Sequence, residues 1–238
     1  MKNTSVALCA LACVAFSAPA TALDFTINFD NIPPAGTPAE GEDSAYGSDI
    51  LGYYDGDPGL PPTFPRAGNQ LWNVVFAPAA LAIASAEAGG FGNFDSAHSG
   101  DSAAGSLEAD GVSFELTPGL YVARMSFWYN AGGPGSGPAV HLYAGGVNVY
   151  SQALTLCAQT GGDGFCGWTE YQVSDEVLKS FAGNGQMITK VVLGGAGNQV
   201  VYDDLFLSTA AVPEPSTYAL MLGGLALVAG IARRRRAR

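Results

Sequence analysis

The 238-residue chain carries 10 basic against 21 acidic residues, a formal charge of −11, with 32 glycines, 14 prolines and only 13% charged residues. The total understates an asymmetry: Lys2 and five arginines (Arg233, Arg234, Arg235, Arg236 and Arg238) sit at the two ends, leaving four basic and twenty acidic residues between positions 23 and 211, a formal −16. That balance excludes nucleic acid as a partner, because phosphate binding needs clustered Lys and Arg, and it favours solubility at the cost of self-repulsion.

In chain order, Lys2, the apolar run Val6–Phe16 and the small residues Ala20-Thr21-Ala22 predict a secretory signal peptide over residues 1–22, removed by signal peptidase together with Cys9 and Cys13. Residues 23–211 then read as one domain, long enough for a real core. Short β-branched and aromatic runs separated by Gly, Pro, Asn and Asp predict strands at Leu23–Phe29, Leu71–Phe76, Gly111–Leu116, Tyr121–Tyr129, Ala139–Tyr143, Val147–Tyr150, Trp168–Val173, Met187–Leu193 and Gln199–Leu207. Alternation in the longest run puts Tyr121, Ala123, Met125, Phe127 and Tyr129 on the expected core face and Val122, Arg124, Ser126 and Trp128 on the other. Ala144-Gly145-Gly146 predicts a hairpin turn. One short helix is expected at Asp175–Phe181, capped by Ser174 and with acids in its first turn. About nine strands without helix–strand alternation predict an all-β fold, an antiparallel β-sandwich of the jelly-roll type that brings the first and last strands together.

The proline- and glycine-rich segment Ile32–Asn69 is expected to be irregular. Within it Tyr46, Tyr53 and Tyr54 lie among carboxylates; aromatic faces stack on sugars and Asp pairs bind hydroxyls, so a glycan site is one reading. Ordinary turn chemistry in Asp55-Gly56-Asp57-Pro58-Gly59 is the other. Asp95-Ser96-Ala97-His98-Ser99-Gly100-Asp101 places a histidine beside hydroxyls and acids, yet catalytic triads are assembled from separated elements, and neither Gly-x-Ser-x-Gly nor His-Glu-x-x-His occurs. No catalytic residue is assigned and the chain is read as a non-enzyme, although a pair of glycosidase carboxylates could hide among the acids. Cys157 and Cys166, the two cysteines of the body, are expected to form a disulfide in an exported chain, closing a ten-residue glycine-rich loop and stabilising it by about 2.5–3 kcal/mol. At the far end, Thr217–Ala232 is free of charge and would form a transmembrane helix of roughly 24 Å against a hydrocarbon core of about 30 Å. Arg233, Arg234, Arg235 and Arg236 would snorkel and hold that end in the cytoplasm.

Val212-Pro213-Glu214-Pro215, followed at once by this apolar segment and the arginine cluster, resembles the PEP-CTERM sorting signal, also catalogued as the ice-binding protein C-terminal domain. The resemblance covers residues 212–238. It implies recognition of Pro213, Glu214 and Pro215 by an exosortase, removal of the tail, transient residence in the inner membrane, and delivery of the body to the cell surface or an extracellular polysaccharide matrix. The body has no regular Thr-x-Thr ladder, so nothing in it points to ice.

A second, weaker resemblance joins Asn28-Phe29-Asp30 near the first strand to Tyr202-Asp203-Asp204-Leu205 in the last. This pairing is similar to the calcium-stabilised jelly-roll domains of carbohydrate-binding modules, and implies Asp30, Asp203 and Asp204 as ligands of a structural calcium. Strand alternation equally allows one aspartate to reach solvent while its neighbour accepts from loop amides. The sequence thus predicts an exported, non-catalytic β-sandwich acting structurally or on glycans at the surface, with a calcium-bearing carbohydrate-binding module and a polysaccharide hydrolase as alternatives.

Overall fold

A computed structural model describes residues 23–30, 48–49, 73–88, 94, 96–106, 111–132, 135–155 and 167–212, together with 223–224 and 233. The elements are β1 (Asp24–Ile27), β2 (Ser48–Asp49), β3 (Val74–Phe76), β4 (Leu81–Ala84), β5 (Ser102–Gly105), β6 (Val112–Leu116), β7 (Leu120–Ala131), β8 (Ala139–Ala144), β9 (Val147–Ala153), β10 (Thr169–Val173), α1 (Asp175–Gly183), β11 (Ile188–Gly194) and β12 (Val200–Ala211). They form two antiparallel sheets. One has seven strands in the order β10-β7-β12-β5-β4-β2, with β1 also paired to β12; the other has five, in the order β3-β6-β11-β8-β9.

Period-two alternation explains the packing. In β6 the pattern buries Val112, Phe114 and Leu116, and in β8 Val140 and Leu142, while the residues between them face outward. Aromatic rings fill the core: across the sandwich Phe76 meets Phe29 edge-on at 5.8 Å, while within one sheet it tilts on Phe114 at 5.5 Å and within the other Phe127 meets Tyr202 edge-on at 5.6 Å. The buried Tyr202 hydroxyl donates to the Gly194 carbonyl, tying β12 of one sheet to β11 of the other. Burial holds the Tyr202 phenol well above its ordinary range.

The expected core face of the longest strand holds for Met125, Phe127 and Tyr129, which are buried. It fails for Tyr121 and Ala123. The β7–β12 register slips between Ser208, opposite Arg124, and Thr209, opposite Val122, so a bulge at Ala123 reverses the phase and turns Val122 and Leu120 inward. Strands β4 and β5, LAIA and SAAG, are additions to the expected set; alanine and glycine give them little strand propensity, and their neighbours β12 and β2 hold them instead. Helix α1 starts at Ser174, whose hydroxyl accepts from the Val177 N–H at 3.4 Å, and runs two residues past the expected end before Gly185, at φ 75°, releases the chain. It buries Leu178 against the sandwich.

The two outer faces differ. Over the seven-stranded sheet, Ile83, Ala103 and Val201 are covered by Phe94, with Ala97 and Trp168 packed alongside. The outer face of the five-stranded sheet carries no such cover among the described residues. No helix among the described residues is long and apolar enough to cross a membrane; of the predicted span only Gly223 and Gly224 are described, and both are helical.

Candidate functional site

The middle of β12 is where its neighbour changes. Val201 and Tyr202 pair with β5, Leu205–Ser208 pair with β1, and against β7 the register slips between Asp203 and Phe206. Asp204 sits in the left-handed region at φ 43°, which aims successive carboxylates toward the gap between β1 and β5. Residues 96–101 fill that gap. Asp203, wholly buried, accepts from the His98 and Ser99 amides through Oδ2, both at 3.0 Å, and from the Asp204 amide through Oδ1 at 2.7 Å. Asp204 holds His98 Nδ1 at 2.7 Å through Oδ2 and accepts from the Ser99 hydroxyl at 2.8 Å through Oδ1. Asp30, just after β1, accepts from the Asp101 and Ser102 amides at 2.9 and 3.2 Å. Gly100 at φ 55° lies so close that a Cβ there would overlap the Asp30 carboxylate. The His98 ring stacks on Trp128 at 3.9 Å and meets Trp168 edge-on at 5.9 Å, while the Trp168 indole N–H donates to the Ser96 carbonyl at 2.9 Å.

Burial pushes the Asp203 carboxyl up to about 8, with the Asp204 and Asp30 charges adding to the rise, against N–H donors that pull it down. Asp30 is raised for the same leading reason. The three aspartates named from the sequence all bond the same segment, residues 98–102. Five of their six oxygens accept from N–H or O–H donors. Calcium takes six to eight oxygen ligands, and among the described residues no group of three or more His, Cys, Asp or Glu side chains is arranged to hold a metal ion. As arranged, this donor set does not fit an ion cage; it fits a hydrogen-bonded lock that fastens the 96–102 segment to the β1–β12–β5 junction. The His98–Asp204 pair has the form of an oriented base, but Ser99 gives its proton to the same carboxylate that holds the imidazole, so this serine is not lined up as a nucleophile.

The open outer face of the five-stranded sheet is a second candidate, which sequence reasoning missed. Cross-strand register builds two rows over four strands, polar except at Val192. Ser113, Val192, His141 and Ser151 form one; Glu115, Lys190, Tyr143 and Asn148 form the next. Lys190 Nζ pairs with Glu115 at 3.0 Å, and Ser151 Oγ bonds His141 Nδ1 at 2.9 Å and accepts from the Asn148 amide at 3.0 Å. With the Gly135–Gly137 and Gly194–Ala196 turns as walls, the rows line a groove of about 740 Å³. One aromatic face beside carboxylate, ammonium, imidazole, amide and hydroxyl groups suits a polyhydroxylated ligand, which needs a stacking surface and mixed donors and acceptors. The signal in the sequence was His141-Leu142-Tyr143 alternating with buried neighbours, visible only once β6, β8, β9 and β11 are known to be adjacent.

Other positions named from the sequence lie outside the described residues: Tyr46, Tyr53 and Tyr54, Cys157 and Cys166, and Pro213, Glu214, Pro215, Arg234, Arg235 and Arg236; of the arginine cluster only Arg233 is described.

Residues 211–236 match the family profile described as the PEP-CTERM protein-sorting motif, so the chain carries that motif at its C-terminal end. No curated protein matches the chain. Among solved structures, a cleaved adhesin domain (K2) of Lys-gingipain is similar at 13% identity over 77% of this chain and 97% of its own, with a TM-score of 0.36. A further cleaved adhesin domain of Lys-gingipain, from Porphyromonas gingivalis w83, is similar at 13% identity over 78% and 99%, with a TM-score of 0.31. TmCBM61, solved in complex with beta-1,4-galactotriose, is similar at 20% identity over 58% and 88%, with a TM-score of 0.29.

Proposed function

We propose that this chain is an exported, non-catalytic surface protein whose β-sandwich associates with extracellular polysaccharide, and that the groove on its five-stranded sheet is where glycan is held. Signal peptidase removes residues 1–22, the segment Thr217–Ala232 holds the chain transiently in the inner membrane, and an exosortase acts at Pro213-Glu214-Pro215; the sorting motif at residues 211–236 supports this route. The observation that carries the glycan reading is the double polar row with Tyr143 at its centre, uncovered among the described residues.

The test is a glycan array probed with the purified protein, followed by titration of any hit against Tyr143→Ala and Lys190→Ala. Either change should weaken binding about tenfold while leaving the melting temperature near that of the parent, since both side chains are partly exposed. Loss of binding in Tyr53→Ala or Tyr54→Ala, with Tyr143→Ala unaffected, would move the site to the 43–59 loop. Absence of any glycan binding would leave a structural matrix role, seen as loss of cell aggregation on deletion. Turnover of polysaccharide abolished by one carboxylate substitution would overturn the non-catalytic reading.

A further inference from the structure

Among the described residues that line the groove on the five-stranded sheet, the charged ones are Glu115 and Lys190, and they neutralise one another across 3.0 Å. Glu115 is the more exposed of the two, 61% against 38%, so an approaching anion meets a carboxylate at least as readily as the ammonium. Around the groove lies a body of formal charge −16, whose field repels anions at longer range. These charges disfavour uronates and sulfated sugars. Uncharged hydroxyls are the matching partner, with Lys190 as donor and Glu115 as acceptor.

A fixed donor stands in the same groove. The β8–β9 register slips at Val149: His141 faces Ser151 and Tyr143 faces Asn148, so β8 residues two apart are matched to β9 residues three apart. Asn148 and Ser151 are thereby brought together, and their bonds settle which imidazole nitrogen carries the proton. Asn148 Oδ1 accepts from the Tyr150 amide at 3.1 Å, and the Asn148 NH2 donates to Ser151 Oγ at 3.0 Å. The Ser151 proton then has two acceptors in reach: Asn148 Oδ1 at 3.2 Å, already taken by that amide, and His141 Nδ1 at 2.9 Å. The shorter bond to the unoccupied acceptor leaves Nδ1 bare and puts the imidazole proton on Nε2. Nε2 lies in the groove over Gly194, 3.3 Å from where a Cβ would stand. The missing side chain at 194 leaves space there for a ligand atom.

Resting on the glycan reading of this groove, we infer that the glycan is a neutral one and that His141 reads it by donating from Nε2 to a hydroxyl. Asn148 and Ser151 are positioning residues. Asn148 donates to Ser151 and Ser151 to His141, which fixes the tautomer that presents the donor.

The test has two arms, both on the full chain in non-ionic detergent. A glycan array sorted by charge should give neutral oligosaccharides as hits, with affinities that change by less than about twofold between low and high salt. His141→Phe keeps a ring but loses the N–H and should weaken binding about tenfold, and Ser151→Ala about threefold. The second arm needs no ligand. With the histidine rings isotopically labelled, in alkaline solution where imidazole is neutral, nitrogen–proton correlations should show the His141 proton on Nε2 in the parent and a mixture of tautomers in Ser151→Ala. His141→Phe identifies those signals by their loss, since His98 is the chain's other histidine. Hits confined to uronates or sulfated glycans, or affinities that fall steeply with salt, overturn the neutral assignment while leaving the groove a glycan site. Full binding by His141→Phe, or a parent proton on Nδ1, overturns the role given to His141. Absence of binding to any glycan overturns the reading of the groove as well. Should His141→Phe lose its fold, Ser151→Ala and the tautomer of the parent decide.

Discussion

Raising the pH should destabilise this protein through Asp203. In the folded state burial lifts this carboxyl from an ordinary 3.8 to about 8; unfolding returns it to water. Between those values the folded form holds a proton that the unfolded form lacks, so stability is fully present below about pH 4 and is lost as pH rises toward 8. The slope for one proton is about 1.4 kcal/mol per pH unit, so moving from pH 5 to pH 7 should remove about 2–3 kcal/mol. Asp30, raised for the same reason, acts in the same direction. The assay is urea denaturation at constant ionic strength at pH 5, 6, 7, 8 and 9, with Asp203→Asn in parallel. The asparagine keeps an oxygen for the His98 and Ser99 amides but turns its NH2 toward the Asp204 N–H, so it should begin less stable by about 1–3 kcal/mol and show a flatter profile. A parent protein whose stability stays level or rises between pH 5 and 7 would refute the reasoning, because it would mean that the N–H donors on Asp203 outweigh its burial.

Three further outcomes follow from the same site and the core. Gly100→Ala and Gly145→Ala impose the same backbone strain, at φ 55° and 56°, but only Gly100 has a neighbour in the way, the Asp30 carboxylate; thermal melts should show the first costing at least about 2 kcal/mol more than the second. Tyr202→Phe removes the hydroxyl that donates to the Gly194 carbonyl across the sandwich and should cost about 1–3 kcal/mol in denaturant unfolding. Calcium and chelator should give equal melting temperatures; a rise of several degrees with calcium alone would show that an ion displaces the donors around Asp30, Asp203 and Asp204.

What could be read in the sequence, and what could not, divides by the range of the interaction. Strands rich in Val, Phe and Tyr announce themselves locally because their alternation is a property of neighbouring residues; β4 and β5 do not, since Leu81–Ala84 and Ser102–Gly105 become strands only through partners far along the chain. The aspartates at 30, 203 and 204 were singled out through the resemblance to calcium-stabilised jelly-roll domains, and local sequence pattern alone did not connect them. Their donors were not, since the 98–102 residues that supply them lie 71 to 106 positions away in sequence. His98 looked like a hydrolase fragment beside its serine and acids; its actual partners, Asp204 and Trp128, come from two strands of the seven-stranded sheet. The groove was still harder to see, because each of its four strands contributes only two outward residues.

Strand β12 ends at Ala211, the first residue of the sorting motif, and the first described residue, Leu23, is bound near that end, its carbonyl accepting from the Thr209 amide at 2.9 Å. Both chain ends thus leave the sandwich from one pole. A body tethered by its tail would feel any drag from the surrounding matrix along the axis of β12. That strand is matched to β7 at ten positions and to β1 at four, so the load would fall on many hydrogen bonds at once, in shear, where a ladder resists far better than when peeled one rung at a time.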